Sequence, residues 1–169
     1  MDRRPTLLHS CARAATAAEA RFRVNYPNST IRASRIIALD SEAASVVGRI
    51  SGQRWKGAHF LTYKEPASGA DAPRSDAILR SSDGAETRLS DELDGADVAV
   101  MVATADRGAE AASIIGKACA LRGIMTAGLV VGDGDGLDDA VNALRPYASV
   151  LVVSADEDYV PEMLGALRA

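Results

Sequence analysis

The second half of the chain alternates strand-length apolar runs with helical segments, and this alternation restricts the fold more than any other feature. Residues 97–103 form a near-continuous apolar run, the mark of a strand buried on both faces. A helix is predicted over about 108–121, with Ala111, Ile114, Ile115, Ala118 and Leu121 on one side. The next strand, 124–131, is bounded by Gly123 and Gly132. The loop Gly132-Asp133-Gly134-Asp135-Gly136 leads to a helix over 137–144 that Pro146 stops. Residues 149–153 form the last strand and 160–168 the closing helix.

The first half repeats the pattern more loosely. The apolar run 35–39 ends at Asp40-Ser41, a turn-and-cap signal, and Ala43, Val46, Val47 and Ile50 follow at helical spacing up to Gly52. Residues 58–63 read as a second strand, and 64–75, with Pro66, Gly69 and Pro73, as a loop. Short β-rich stretches at 77–79 and 86–89 flank Asp83-Gly84, as in a small hairpin. Strands alternating with helices of this length make βαβ units. The expected fold class is α/β: a doubly wound, mostly parallel sheet of about five strands with helices on both faces, preceded by an N-terminal helix.

That N-terminal helix is predicted over about 5–23, where Leu7, Cys11, Ala14, Ala18 and Phe22 form one stripe. The first 35 residues carry seven Arg against Asp2 and Glu19, a net +5 within a chain of net −4. Residues 1–30 are read as a helical arm able to pack on the domain or to join two copies as a homo-oligomer, and 31–169 as one Rossmann-like domain. An acidic chain with 4% aromatic residues is not built to bind nucleic acid, and no apolar run is long enough to cross a membrane. The preference for Arg over Lys suits a GC-rich bacterial genome, and the cytoplasm is the expected location. Cys11 and Cys119 match no metal or redox spacing, and Cys119 falls in an apolar helical pattern as a buried thiol.

In a doubly wound sheet the ligand crevice lies at the carboxyl ends of the strands. The residues expected there are Asp40, Ser41 and Glu42, then Tyr63, Lys64 and Glu65, then Thr104, Asp106 and Arg107, then Gly132, Asp133 and Asp135, and lastly Ser154, Asp156, Glu157 and Asp158. Of these, Asp40, Ser41, Glu42, Thr104, Asp106, Arg107, Gly132, Asp133 and Asp156 are the candidate ligand-binding residues. This edge is acidic, and bare carboxylates repel phosphate. No G-x-G-x-x-G, G-x-x-x-x-G-K-[ST] or G-x-S-x-G is present. Part of the acid has a structural reading: Asp106 at an N-cap, Asp135 capping a helix with Asp138 at its N3 position, and Ser154-Ala155-Asp156-Glu157 as a capping box. The functional reading converges Asp40, Asp106 and Asp133 on Mg²⁺, which would hold a phosphorylated ligand. His59 reads as a sheet-face histidine, and Trp55 and Tyr63 as packing residues.

Over residues 89–159 the chain resembles the GTPase domain of the tubulin/FtsZ family. The resemblance rests on Asp94-Gly95-Ala96-Asp97 before the strand through Ala103, Gly116-Lys117 within the following helix, the stretch 122–131, and 144–156. It implies a Rossmann-like fold with a nucleotide as the cofactor. Two departures limit it. The family's glycine-rich signature loop is Thr104-Ala105-Asp106-Arg107-Gly108-Ala109 here, and its first glycine-rich loop is replaced by Asp40-Ser41-Glu42. The fold and crevice therefore carry over, and GTP hydrolysis and polymerisation do not. The expectation is a non-hydrolysing domain that binds a small ligand or partner; the alternative is a Mg²⁺-dependent transferase or phosphate-handling enzyme.

Overall fold

The computed structural model describes residues 31–64, 76–104, 108–132 and 137–169. In chain order the elements are β1 (Ser34–Ala38), α1 (Ser41–Ser51), β2 (Ala58–Tyr63), β3 (Ile78–Ser81), β4 (Glu86–Arg88) and α2 (Leu89–Leu93). There follow β5 (Val98–Ala103), α3 (Ala109–Arg122), β6 (Met125–Val131), α4 (Asp138–Leu144), β7 (Val150–Ser154) and α5 (Tyr159–Leu167). The strands form one sheet in the order β4-β3-β2-β1-β5-β6-β7.

The expected α/β class is observed, with β2, β1, β5, β6 and β7 all parallel. The sheet has seven strands, however, not about five. The hairpin of β3 and β4 adds itself antiparallel to the outer side of β2, pairing Leu61 with Ser81 and Tyr63 with Leu79. Leu79 is fully buried while Ile78 and Arg80 are exposed, so β3 alternates as a half-covered strand does and reads weakly in sequence. The hairpin turns at Asp83-Gly84, where Gly84 takes φ +90° and Asp83 accepts from the Ala85 N–H at 3.0 Å. The N-terminal helix expected over 5–23 and most of the loop expected over 64–75 lie outside the described residues.

Burial follows from the two-residue pleat. Ile36 and Ala38 of β1, with Val98, Val100 and Val102 of β5, face α1 and α5. Ile37, with Ala99, Met101 and Ala103, faces α2, α3 and α4. No residue of β5 is more than 1% exposed, as its uncharged run demands. On α1 the buried residues are Ala43, Val46, Val47 and Ile50, the stripe read from the sequence.

Helix α3 is rotated relative to expectation. Its buried residues are Ala111, Ala112, Ile115, Gly116 and Cys119, whereas Leu121 is 87% exposed. The close approach at Gly116 sets this face: Tyr147 packs against the helix there, where an added Cβ would overlap its ring. Tyr147 Oη and Ser113 Oγ, 3.2 Å apart, complete the contact. Gly123, in the left-handed conformation at φ +68°, ends α3 and returns its N–H to the Cys119 and Ala120 carbonyls.

Two glycine-to-alanine substitutions should move stability in opposite directions. Gly48, mid-helix in α1, has open space around its Cα, so Gly48→Ala should raise stability by about 0.5–1 kcal/mol. Gly116→Ala gains the same helix propensity but forces the Tyr147 ring aside at about 1–3 kcal/mol, for a net loss of about 1 kcal/mol. Urea midpoints of the two variants check this.

Candidate functional site

The sheet grows in both directions from β1: the chain passes from β1 to β2 on one side and later returns to β5 on the other. Helices that cover opposite faces diverge at this reversal, which leaves a crevice at the carboxyl ends of β1 and β5. Asp40 and Thr104 stand there.

Asp40 bridges the two strand ends. Its Oδ2 accepts from the Thr104 backbone N–H at 2.8 Å, and its Oδ1 from the Thr104 hydroxyl at 2.6 Å. The same Oδ1 accepts from the Ala43 N–H at 2.8 Å, which makes Asp40 the N-cap of α1 as its sequence context predicts. Glu42 Oε2 lies 3.4 Å from the Thr104 hydroxyl. Asp40 thus spends most of its acceptor capacity holding the edge of the sheet together. Ser41 is exposed at the start of α1.

Two further candidates continue the line along this edge. Gly132, at φ +155°, lies beside the Thr104 carbonyl and donates its N–H to the Ser154 carbonyl at 2.9 Å. Asp156 donates its backbone N–H to Ser154 Oγ at 3.1 Å, and its Oδ1 accepts from the Asp158 N–H at 2.9 Å. The structure therefore brings together Asp40, Glu42 and Thr104, with Gly132, Ser154 and Asp156 further along. Asp106, Arg107, Asp133, Asp135 and Glu65 lie outside the described residues. Tyr63 is buried, and Lys64 pairs with Glu86 of the hairpin at 2.5 Å. No group of three or more metal-ligating side chains gathers among the described residues.

Asp106, expected as the N-cap of the helix that begins after Gly108, lies outside the described residues. Two other capping expectations are corrected by the helix starts. Leu137 holds the N-cap position of α4, which moves Asp138 to the first helical residue instead of N3. The capping box expected at Ser154–Glu157 does not form, because α5 begins at Tyr159 and Ser154 and Asp156 make a turn ahead of it. Glu157 instead pairs with Arg49 of α1. The acid still favours these helix N-termini through their dipoles, with Asp138 and Asp139 in the first turn of α4.

At the opposite end of the sheet lies a cluster that periodicity did not reveal. Arg35 donates through Nε to the Glu92 carbonyl at 2.6 Å and lies 3.1 Å from Glu92 Oε2, with both side chains largely buried. His59, paired with Arg35 in register, brings Nδ1 within 3.1 Å of the same Oε2. The signal available was an arginine inside a strand of buried residues, which needs a carboxylate partner. The cluster pins α2 to the sheet. Nearby, Trp55 donates to the Ile50 carbonyl at 2.9 Å and tilts against Phe60 at 5.9 Å between ring centres, the packing role expected of it.

Comparison with family models gives no match, and comparison with curated protein sequences gives none either.

Removing the bridge should cost stability. In Asp40→Asn the amide must present a donor to one of the N–H groups that the carboxylate now receives, for a loss of about 2–3 kcal/mol; Thr104→Val, which keeps its backbone N–H, should lose about 1 kcal/mol. Chemical denaturation measures both. Burial pushes the Cys119 thiol up to about 11, against a smaller opposing effect of Arg122, so almost no thiolate forms at pH 8. Peptide-resolved alkylation should label Cys119 only after unfolding; labelling of the native protein at pH 8 would contradict its place on the buried face of α3.

Proposed function

We propose that this chain is a Rossmann-like binding domain, of degenerate tubulin/FtsZ type, that takes a small ligand or a partner at its carboxyl edge without hydrolysing nucleotide. The observation that carries this reading is the engagement of Asp40. The strongest candidate for a catalytic or metal-binding carboxylate is spent on Thr104 and on the cap of α1, so it builds the crevice instead of working in it. The residues that would contact an occupant are the exposed Ser41 and Glu42 on one side of it and Gly132 and the exposed Asp156 on the other. Asp106, Arg107 and Asp133 belong to the loops that follow the same strand ends. The acid along the edge favours a neutral hydrogen-bonding ligand, or a phosphate group that arrives already neutralised by Mg²⁺.

The competing reading, a Mg²⁺-dependent transferase or phosphate-handling enzyme, needs Asp40, Asp106 and Asp133 to share one ion. It requires Asp40 to bind through the remaining lone pair of Oδ2, because Oδ1 already receives two hydrogen bonds.

A thermal-shift panel of nucleotides, dinucleotides and acyl-CoA, each with and without Mg²⁺, distinguishes the two. The binding reading expects one of these classes to raise Tm, by an amount equivalent to about 2.7 kcal/mol at a hundredfold excess over Kd, with no product formed. The absence of a shift with every compound would defeat the small-ligand form of the proposal. Turnover of the stabilising compound, abolished in Asp40→Asn, would establish the enzyme reading instead.

A further inference from the structure

The two edges of the sheet are built differently. β4 is short and carries Glu86 and Arg88, and charged side chains on a short strand discourage another strand from pairing. β7 reads Val-Leu-Val-Val-Ser, with no charge, no proline and no bulge. Among the described residues it pairs only with β6. Val150 and Val153 remain 48% and 53% exposed.

The backbone direction of β7 can be read from its ladder. The Gly132 N–H donates to the Ser154 carbonyl, so Ser154, and by alternation Val152 and Val150, turn their backbone groups toward β6. Leu151 and Val153 turn theirs outward, where a further strand would lie.

The charges beside the strand select its partner. Arg145, exposed just before β7, forms no ion pair among the described residues, whereas Asp156, Glu157 and Asp158 follow the strand, all exposed. A second copy running antiparallel brings the basic flank of each chain to the acidic flank of the other. A parallel copy would set acid against acid.

We propose that the open edge of β7 is the contact between two copies of this chain, paired antiparallel about a two-fold axis through Val152. In that register Leu151 faces Val153 of the other copy. These are the residues whose N–H and C=O groups point outward, so each pair exchanges both backbone hydrogen bonds. Val152 meets its own copy on one face of the joined sheet, and the exposed Val153 is covered by Leu151 on the other. An isologous contact of this kind closes on itself and leaves no β7 edge free for further growth. A seam of one short strand is small, below roughly 1,200 Å² in total, so monomer and dimer should exchange. This assembly is independent of the ligand reading.

Sedimentation velocity of the full chain at low salt over a rising concentration series tests the proposal. The expected result is a concentration-dependent monomer–dimer equilibrium. Val153→Pro removes an outward N–H and leaves the β6 ladder intact, so it should stay monomeric with an unchanged far-UV circular dichroism spectrum. Val153→Lys keeps the backbone donor and places a charge in the seam; it should also be monomeric, and it decides the matter if the proline variant folds poorly. Arg145→Glu should weaken the dimer several-fold at low salt, and adding Asp158→Lys should restore it. A wild-type chain that stays monomeric at every concentration would overturn the proposal, as would a dimer that survives both Val153 variants. A dimer indifferent to Arg145→Glu would overturn the antiparallel register.

Discussion

β1 and β5 lie side by side in the middle of the sheet, buried on both faces, and their carboxyl ends are joined by one carboxylate. Hydrophobic burial brings the two strands together but does not say where each should stop, since an apolar strand gains as much from one register as from a shift by two residues. The Asp40 bridge supplies that information. It accepts from the backbone and hydroxyl of Thr104 on one strand and caps α1 on the other, so the end of β1, the end of β5 and the start of α1 are set by a single group. The crevice depends on this fixed geometry, because Asp40, Ser41, Glu42 and Thr104 leave the sheet from these two ends and Gly132 and Asp156 follow the neighbouring strands β6 and β7.

This arrangement also accounts for the acid along the edge. A helix that starts at the carboxyl end of a parallel strand points its positive dipole end into the crevice, and carboxylates there are stabilised without any ligand. The structure assigns such a role to Asp40 by direct capping and to Asp138 and Asp139 by position in the first turn of α4. Asp156 orders the turn before α5. α3, which begins after Gly108, carries Glu110 in its first turn. The opposite end of the sheet uses charge in another way. There the largely buried pair of Arg35 and Glu92, with the exposed His59 against the same carboxylate, ties α2 down, and its worth lies in orientation more than in net stability.

How much of this was legible from the sequence can be judged residue by residue. The run 97–103 and the stripe Ala43, Val46, Val47 and Ile50 announce a doubly buried strand and a packed helix, and the structure contains both. Asp40 announces a cap and is one. The rotation of α3 was not legible, because the helix is apolar on several sides and the buried side was selected by Tyr147 lying over Gly116, a contact between distant segments. The positions of Asp138 and Ser154 relative to their helices were not legible for a related reason: a Ser or Asp can cap locally or make a turn, and tertiary packing decides where the first helical residue falls.

By itself the sequence determined the α/β class, the parallel core and the placing of the acid at strand ends, since those follow from periodicity and from short-range capping chemistry. Only the tertiary structure decided that β3 and β4 extend the sheet to seven strands, that β1 and β5 flank the reversal, and that Asp40 reaches across to Thr104 instead of standing free. The physical reason is range. Periodicity reports which face of an element is buried, whereas strand order and the partner of a carboxylate are set by contacts between residues as far apart as positions 40 and 104, which no local pattern encodes.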